Sequence, residues 1–126
     1  MEKHVEIFKA LSDETRLRIL NLLILSKDSI CECELVDALN IPQYNISRHV
    51  KILKSAELIL ESKKGRWKYF SITKLKNDFI INILNATSSI STQRLKADYT
   101  NLKKRLKMRE NKECVIWKQN LKIIKK

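Results

Sequence analysis

Three cysteines carry the most distinctive chemistry of this 126-residue sequence: Cys31 and Cys33, which form a Cys-x-Cys pair, and Cys114. Thiolates are soft ligands for soft metals and metalloids, and they also climb the oxidation ladder. In a reducing compartment such a pair reads as metal-binding or redox-active rather than as part of a disulfide framework. Ser29-x-x-Glu32 has the form of a capping box. It would place both thiols in the first turn of a helix, where free N–H groups and the helix dipole lower a thiol pKa. Residues two apart on an ideal helix point about 200° away from each other, so both sulfurs reach one ion only if that turn unwinds. The plainer alternative is a pair of small, partly buried thiols. Glu32 and Glu34 read as capping or solvent-facing groups. No histidine, carboxylate pair or glycine-rich loop makes a plausible reaction centre, so an enzyme is not expected.

The second chemically informative feature is charge. The formal net charge is +12 with a pI near 9.8, which points to a polyanionic partner such as nucleic acid or anionic lipid. Acidic side chains outnumber basic ones by 8 to 5 over residues 1–40, whereas basic ones lead by 8 to 2 over 41–74 and by 12 to 3 over 91–126. The apolar runs Ile19–Leu25 and Phe79–Leu84 are too short to span a bilayer. The N-terminus lacks the basic-then-apolar pattern of a secretory signal. A cytoplasmic protein with reduced thiols and no membrane partner is expected.

The elements that must position these groups follow from the periodicity. With one glycine, Gly65, and one proline, Pro42, the chain is expected to be mainly α in an α+β fold. Val5, Phe8 and Leu11 mark a first helix. Ser12-Asp13-Glu14 caps a second through Leu17, Leu20 and Leu23, and Ile30, Leu35 and Leu39 form the core face of a third, which ends at Asn40 and Ile41. Pro42 sits at a first helical position before Ile46, Val50 and Leu53. Two short helices joined by a short turn make a helix-turn-helix. Its second helix offers Gln43, Tyr44, Asn45, Ser47, Arg48, His49 and Lys51 to DNA. His49 has the alternative of packing on the wing.

Residues 58–62 and 67–72 read as a two-stranded β-hairpin wing whose tip, Lys63, Lys64 and Arg66 around Gly65, reaches phosphate or the minor groove. Trp67, Tyr69 and Phe70 read as packing groups. Thr73 is expected to cap a helix carrying Leu75, Phe79, Ile83 and Leu84. A last helix carries Leu95, Tyr99, Leu102 and Leu106, a seam that wants either the core or a second subunit. The division expected is a winged helix-turn-helix domain over 1–90 and a C-terminal helix with a basic tail over 91–126, loosely ordered from about Asn111.

Cys31-Glu32-Cys33-Glu34-Leu35, then Ile46-Ser47-Arg48-His49-Val50-Lys51-Ile52-Leu53, then Gly65-Arg66-Trp67-Lys68-Tyr69, resemble the ArsR/SmtB family of metal-responsive repressors over about Phe8 to Ile72. The resemblance implies a winged helix-turn-helix homodimer, dimerising through its terminal helices, that binds double-stranded operator DNA and leaves when an effector binds. It also implies that Cys31 and Cys33 are an arsenite or antimonite site. Val36 stands where some members carry a third thiol. With His4 and His49 the only histidines, the family's zinc-type Asp and His site is not expected. For Cys114 two readings stand: a third thiolate supplied by a tail that crosses a dimer, or a stray thiol. Effector-driven distortion of the third helix would then shift the recognition helix. A thiol-based redox sensor and a constitutive DNA-binding protein without effector are the alternatives.

Overall fold

A computed structural model describes residues 1–110 and Cys114. The rest of the lysine-rich tail, expected to be loosely ordered, lies outside the described residues. Six helices are present: α1 Glu2–Leu11, α2 Glu14–Leu25, α3 Glu32–Leu39, α4 Gln43–Ser55, α5 Asp78–Ser88 and α6 Gln93–Leu106. Three strands, β1 Ile30–Cys31, β2 Ile59–Lys64 and β3 Trp67–Ile72, form an antiparallel sheet in the order β1-β3-β2. The fold is an α+β winged helix-turn-helix.

The expected two-stranded wing gains a third strand, because Ile30 pairs with Phe70 and Cys31 with Tyr69. Two residues are too few for any alternation to announce a strand. The wing itself closes tightly: Lys64 faces Trp67, and Gly65 takes φ +60° in the two-residue turn between them. A positive φ at the first turn position suits the twist of a hairpin and favours glycine.

Within Ser12-Asp13-Glu14, Asp13 caps α2 by accepting from the Arg16 N–H at 3.0 Å and Glu14 is the first-turn acid, while the Ser12 hydroxyl closes α1 by donating to the Lys9 carbonyl. Other helix starts differ from the sequence expectation. Asn77 caps α5 by accepting from the Ile80 N–H, and Thr73, the expected cap, instead gives its N–H to the Leu58 carbonyl. Pro42 is the residue before α4 rather than its first helical position. The capping box of α3 is Cys31 with Glu34, not Ser29 with Glu32. Asn40, in the left-handed conformation at φ 55°, ends α3 as expected of a helix C-cap.

Leu20, Leu22, Leu35, Ile46, Leu53, Leu58, Ile59, Phe70 and Leu102 are fully buried and knit the helices to the inner face of the sheet. In α1 the inward residues are Ile7 and Ala10, while Val5 and Phe8, expected to face the core, are exposed. The α6 seam is satisfied within the chain. Leu95 and Leu102 are buried, Tyr99 and Leu106 pack against the same core, and the Arg18 guanidinium of α2 holds Asp98 through two hydrogen bonds of 2.8 and 2.9 Å. Replacing a fully buried leucine leaves a cavity as well as losing transfer energy. Leu102→Ala is therefore expected to lower the unfolding free energy by about 2–5 kcal/mol, measured by urea denaturation.

Candidate functional site

The outward face of α4 and the wing tip both present exposed basic side chains. Gln43, Tyr44, Arg48 and Lys51 are exposed on α4, Asn45 and Ser47 are half-buried, and Ile46, Val50 and Leu53 point into the core. Lys63, Lys64 and Arg66 are exposed around the turn, with the Arg66 guanidinium 4.8 Å from the Trp67 ring centre. His49 is the exception among the residues expected at DNA. It is 7% exposed and turned to the N-terminus of α2, where its Nδ1 lies 3.1 Å from Arg16 Nη1 and 3.8 Å from Asp13 Oδ2. Its turn of α4 carries it to the packed side of the cylinder, against the start of α2. Burial pushes its pKa below the ordinary histidine value.

The three cysteines converge on one point. Cys31, Cys33 and Cys114 are all buried, and their sulfurs lie within 4.8 Å of one another. The Cys31 and Cys33 sulfurs are 3.1 Å apart. No unwinding is needed, because Cys31 is not in the helix. As the N-cap it is extended, with φ −70° and ψ 148°, which swings its sulfur round to that of Cys33. The Cys33 and Cys114 sulfurs are in direct contact, yet their Cα atoms are 7.7 Å apart, beyond the span of an ordinary disulfide. Cys114 comes from the same chain; the described contact needs no crossing tail.

The expected lowering of a thiol pKa is overturned at Cys31. Burial pushes it up to about 11, more than the Cys33 and Glu34 N–H groups bring it down, and the Glu34 carboxylate adds to the rise. The desolvation of a buried anion outweighs the helix N-terminus.

Four charged side chains, of which sequence singled out only Glu34, lie about the cluster as two ion pairs. Arg105 Nε is 2.7 Å from Asp37 Oδ2, and its Nη2 lies 3.8 Å from both the Cys33 and Cys114 sulfurs. Arg109 grips both Glu34 oxygens at 2.7 Å and donates to the Ser29 carbonyl at the same distance. Glu34 is fully buried and also accepts from the Cys31 N–H at 2.8 Å, so of the two roles foreseen for it only capping holds. Arg105 lies in the last turn of α6 and Arg109 three residues beyond its end, in a run of basic residues that looks like ordinary surface charge in sequence. A pocket of about 490 Å³ lined by Asp28, Ser29, Lys64, Tyr69, Leu106 and Arg109 opens beside the cluster.

Two contacts join the cluster to α4 and the wing. Glu32, between the two cysteines in sequence, accepts a very short hydrogen bond from the Ser47 hydroxyl on α4. Tyr69, on the wing strand β3, pairs with Cys31 and accepts the Cys114 N–H at its hydroxyl at 2.9 Å. Sequence placed Tyr69 as packing, which it is, but gave no hint of the hydroxyl's role.

A helix-turn-helix followed by a basic-tipped hairpin defines a winged-helix DNA-binding protein. HlyU from Vibrio cholerae shares this fold, with a TM-score of 0.58 at 22% identity over 68% of this chain and 87% of that one. The model of the arsR family of bacterial regulatory proteins matches residues 13–60. An HTH-type transcriptional regulator of Methanocaldococcus jannaschii is 42% identical over 67% of this chain and 93% of its own length. The arsenic resistance transcriptional regulator ArsR2 of Pseudomonas putida is 38% identical over 78% and 84%, and the arsenical resistance operon repressor of Escherichia coli 32% identical over 78% and 83%. The chain belongs to the arsR family. It is a DNA-binding transcriptional regulator with a repressor's role, not an enzyme. Among the described residues no helix is long and apolar enough to cross a membrane.

The buried His49 gives a pH signature. Its folded pKa lies below the ordinary 6.5, so its contribution to stability is complete above that value and is lost as pH falls through the folded one. Between about pH 7.5 and 5 the melting temperature of the wild type is expected to fall more than that of His49→Gln. Equal slopes would show that the ring is solvated.

Proposed function

We propose that this protein is a metalloid-responsive repressor that binds operator DNA as a homodimer and is released when arsenite or antimonite takes the thiols of Cys31, Cys33 and Cys114. The observation that carries the reading is the convergence of three buried sulfurs within 4.8 Å, a donor set suited to one soft ion. The relatives named for arsenic resistance support the effector class. Arsenite exchanges its three hydroxyls for three thiols, giving a neutral tris-thiolate and three waters. A reducing cytoplasm keeps the thiols available for that exchange.

The chain's own residues supply the coupling. Cys31, Glu32 and Cys33 are consecutive, so any adjustment of the two thiols displaces the carboxylate that holds Ser47 on the recognition helix. Tyr69 carries the same adjustment to the wing. This replaces helix unwinding as the route: two short contacts move, and α3 stays intact. Release requires that the effector bind the displaced arrangement better than the DNA-bound one. On DNA, Gln43, Tyr44, Asn45, Ser47 and Arg48 face base edges, while Lys51, Lys63, Lys64 and Arg66 neutralise phosphate. The exposed apolar side chains of α1 and α5, Val5, Phe8 and Ile81, are suited to a second copy of the chain.

The direct contact of the Cys33 and Cys114 sulfurs favours a second reading, a redox sensor in which peroxide joins these two thiols and is reduced to water. The 7.7 Å span between their Cα atoms weighs against it.

The test is binding to a DNA fragment from upstream of the protein's own gene at fixed salt. Arsenite is expected to weaken wild-type binding by about 5- to 150-fold. The Cys31→Ser/Cys33→Ser double variant should bind DNA with no arsenite response, and Cys114→Ser should need far more arsenite. Glu32→Ala should still take up arsenite, read by sulfur-to-arsenic absorbance, but release DNA poorly. Release by peroxide alone would establish the redox reading, and indifference to both agents a constitutive binder.

A further inference from the structure

The charge arrangement around the cluster bears on which ion it accepts. All three cysteines are buried, with 1%, 1% and 5% of their surface exposed for Cys31, Cys33 and Cys114. In such surroundings a net charge that develops on binding is costly unless an opposite charge is at hand. One guanidinium stands close enough to compensate it, that of Arg105, 3.8 Å from two of the sulfurs, but it is held by Asp37, with side chains 3% and 2% exposed; Arg109 is likewise held by Glu34, at 12% and 0%. Glu32, between the two cysteines in sequence, is engaged with Ser47 on α4. Each of the two ion pairs is neutral in itself.

Three thiols treat ions of different valence differently. A trivalent metalloid hydroxide loses three hydroxyls as water, takes the three thiol protons with them, and leaves a tris-thiolate of zero charge. A divalent cation such as Cd²⁺ displaces three protons to solvent and leaves a tris-thiolate of charge −1. We propose that the Asp37–Arg105 pair is the valence selector of the site: by occupying the guanidinium 3.8 Å from two of the sulfurs, Asp37 withholds the countercharge that a divalent tris-thiolate needs, and so favours trivalent metalloids. The inference rests on the reading of the cluster as the effector site. Asp37 is a positioning residue here, because it acts on the ligand through Arg105.

Removing the carboxylate should release the countercharge. Purified full-length chain is titrated separately with arsenite and with Cd²⁺, each followed by its sulfur charge-transfer absorbance, for wild type, Asp37→Asn and Asp37→Asn/Arg105→Gln. Asp37→Asn is expected to move the ratio of Cd²⁺ to arsenite affinity at least tenfold toward Cd²⁺, chiefly by strengthening Cd²⁺. The double variant, neutral again, should return to within about threefold of the wild-type ratio. Circular dichroism reports whether each variant folds. If Asp37→Asn does not, Asp37→Ser, which also removes the carboxylate, is titrated in its place and must shift the ratio in the same direction. An unchanged ratio in the folded variant overturns the selector while leaving the effector site standing. A wild type that binds arsenite no better than a Cys31→Ser/Cys33→Ser control overturns the effector site and the selector with it.

Discussion

A guanidinium taken out of water has to be paired, and in this chain two such pairings decide where the end of α6 lies. Arg105 reaches Asp37 on α3, and one turn later Arg109 reaches Glu34 at the start of the same helix. Arg18 and Asp98 fix the other end of the contact, between α2 and α6. With these ends held, Cys114 lies at the N-terminus of α3 and meets Cys33, from which 81 residues separate it in sequence.

The same pairings explain why a thiol cluster tolerates such complete burial. Glu34 serves two ends at once, closing the first turn of α3 through the Cys31 N–H and neutralising Arg109. Cys31 in turn belongs to two elements, as the last residue of β1 and the cap of α3. A residue shared by a strand and a helix cap transmits any displacement to both, to the wing through β3 and to the recognition helix through its neighbour Glu32. The proposed effector site and the basic faces of α4 and the wing are therefore mechanically adjacent although their chemistry is opposite: buried in one case, exposed and basic in the other.

What was legible in the sequence was what depends on local spacing. Helical periodicity located all six helices, Gly65 marked the wing turn, and the Cys-x-Cys pair marked the thiol site. Two helix starts are less legible, because Ser29 and Thr73 each lie within a few residues of a competing cap, and the choice depends on which backbone the fold leaves unpaired. The two-residue strand β1 carries no alternation to detect. The Arg105–Asp37 and Arg109–Glu34 pairs join residues far apart in sequence, and ordinary surface charges look the same on the page as buried ones. The Cys31 pKa was misread for the same reason: a helix N-terminus is a local feature, whereas the burial that outweighs it comes from β3 and the segment after α6.

Drawing the third thiol from beyond α6 rather than from α3 itself also changes what ligation can do. Three thiols on a single helix turn can only distort that turn, and the distortion has to be strong enough to be felt elsewhere. Thiols on β1, on α3 and after α6 instead span a junction among segments that already touch α4 and the wing. In the proposed mechanism, closing that junction around one ion would add a constraint between them without breaking any helix. In this arrangement the energy of ligation goes into the relative placement of packed segments, and small shifts at tightly packed contacts are passed on rather than absorbed.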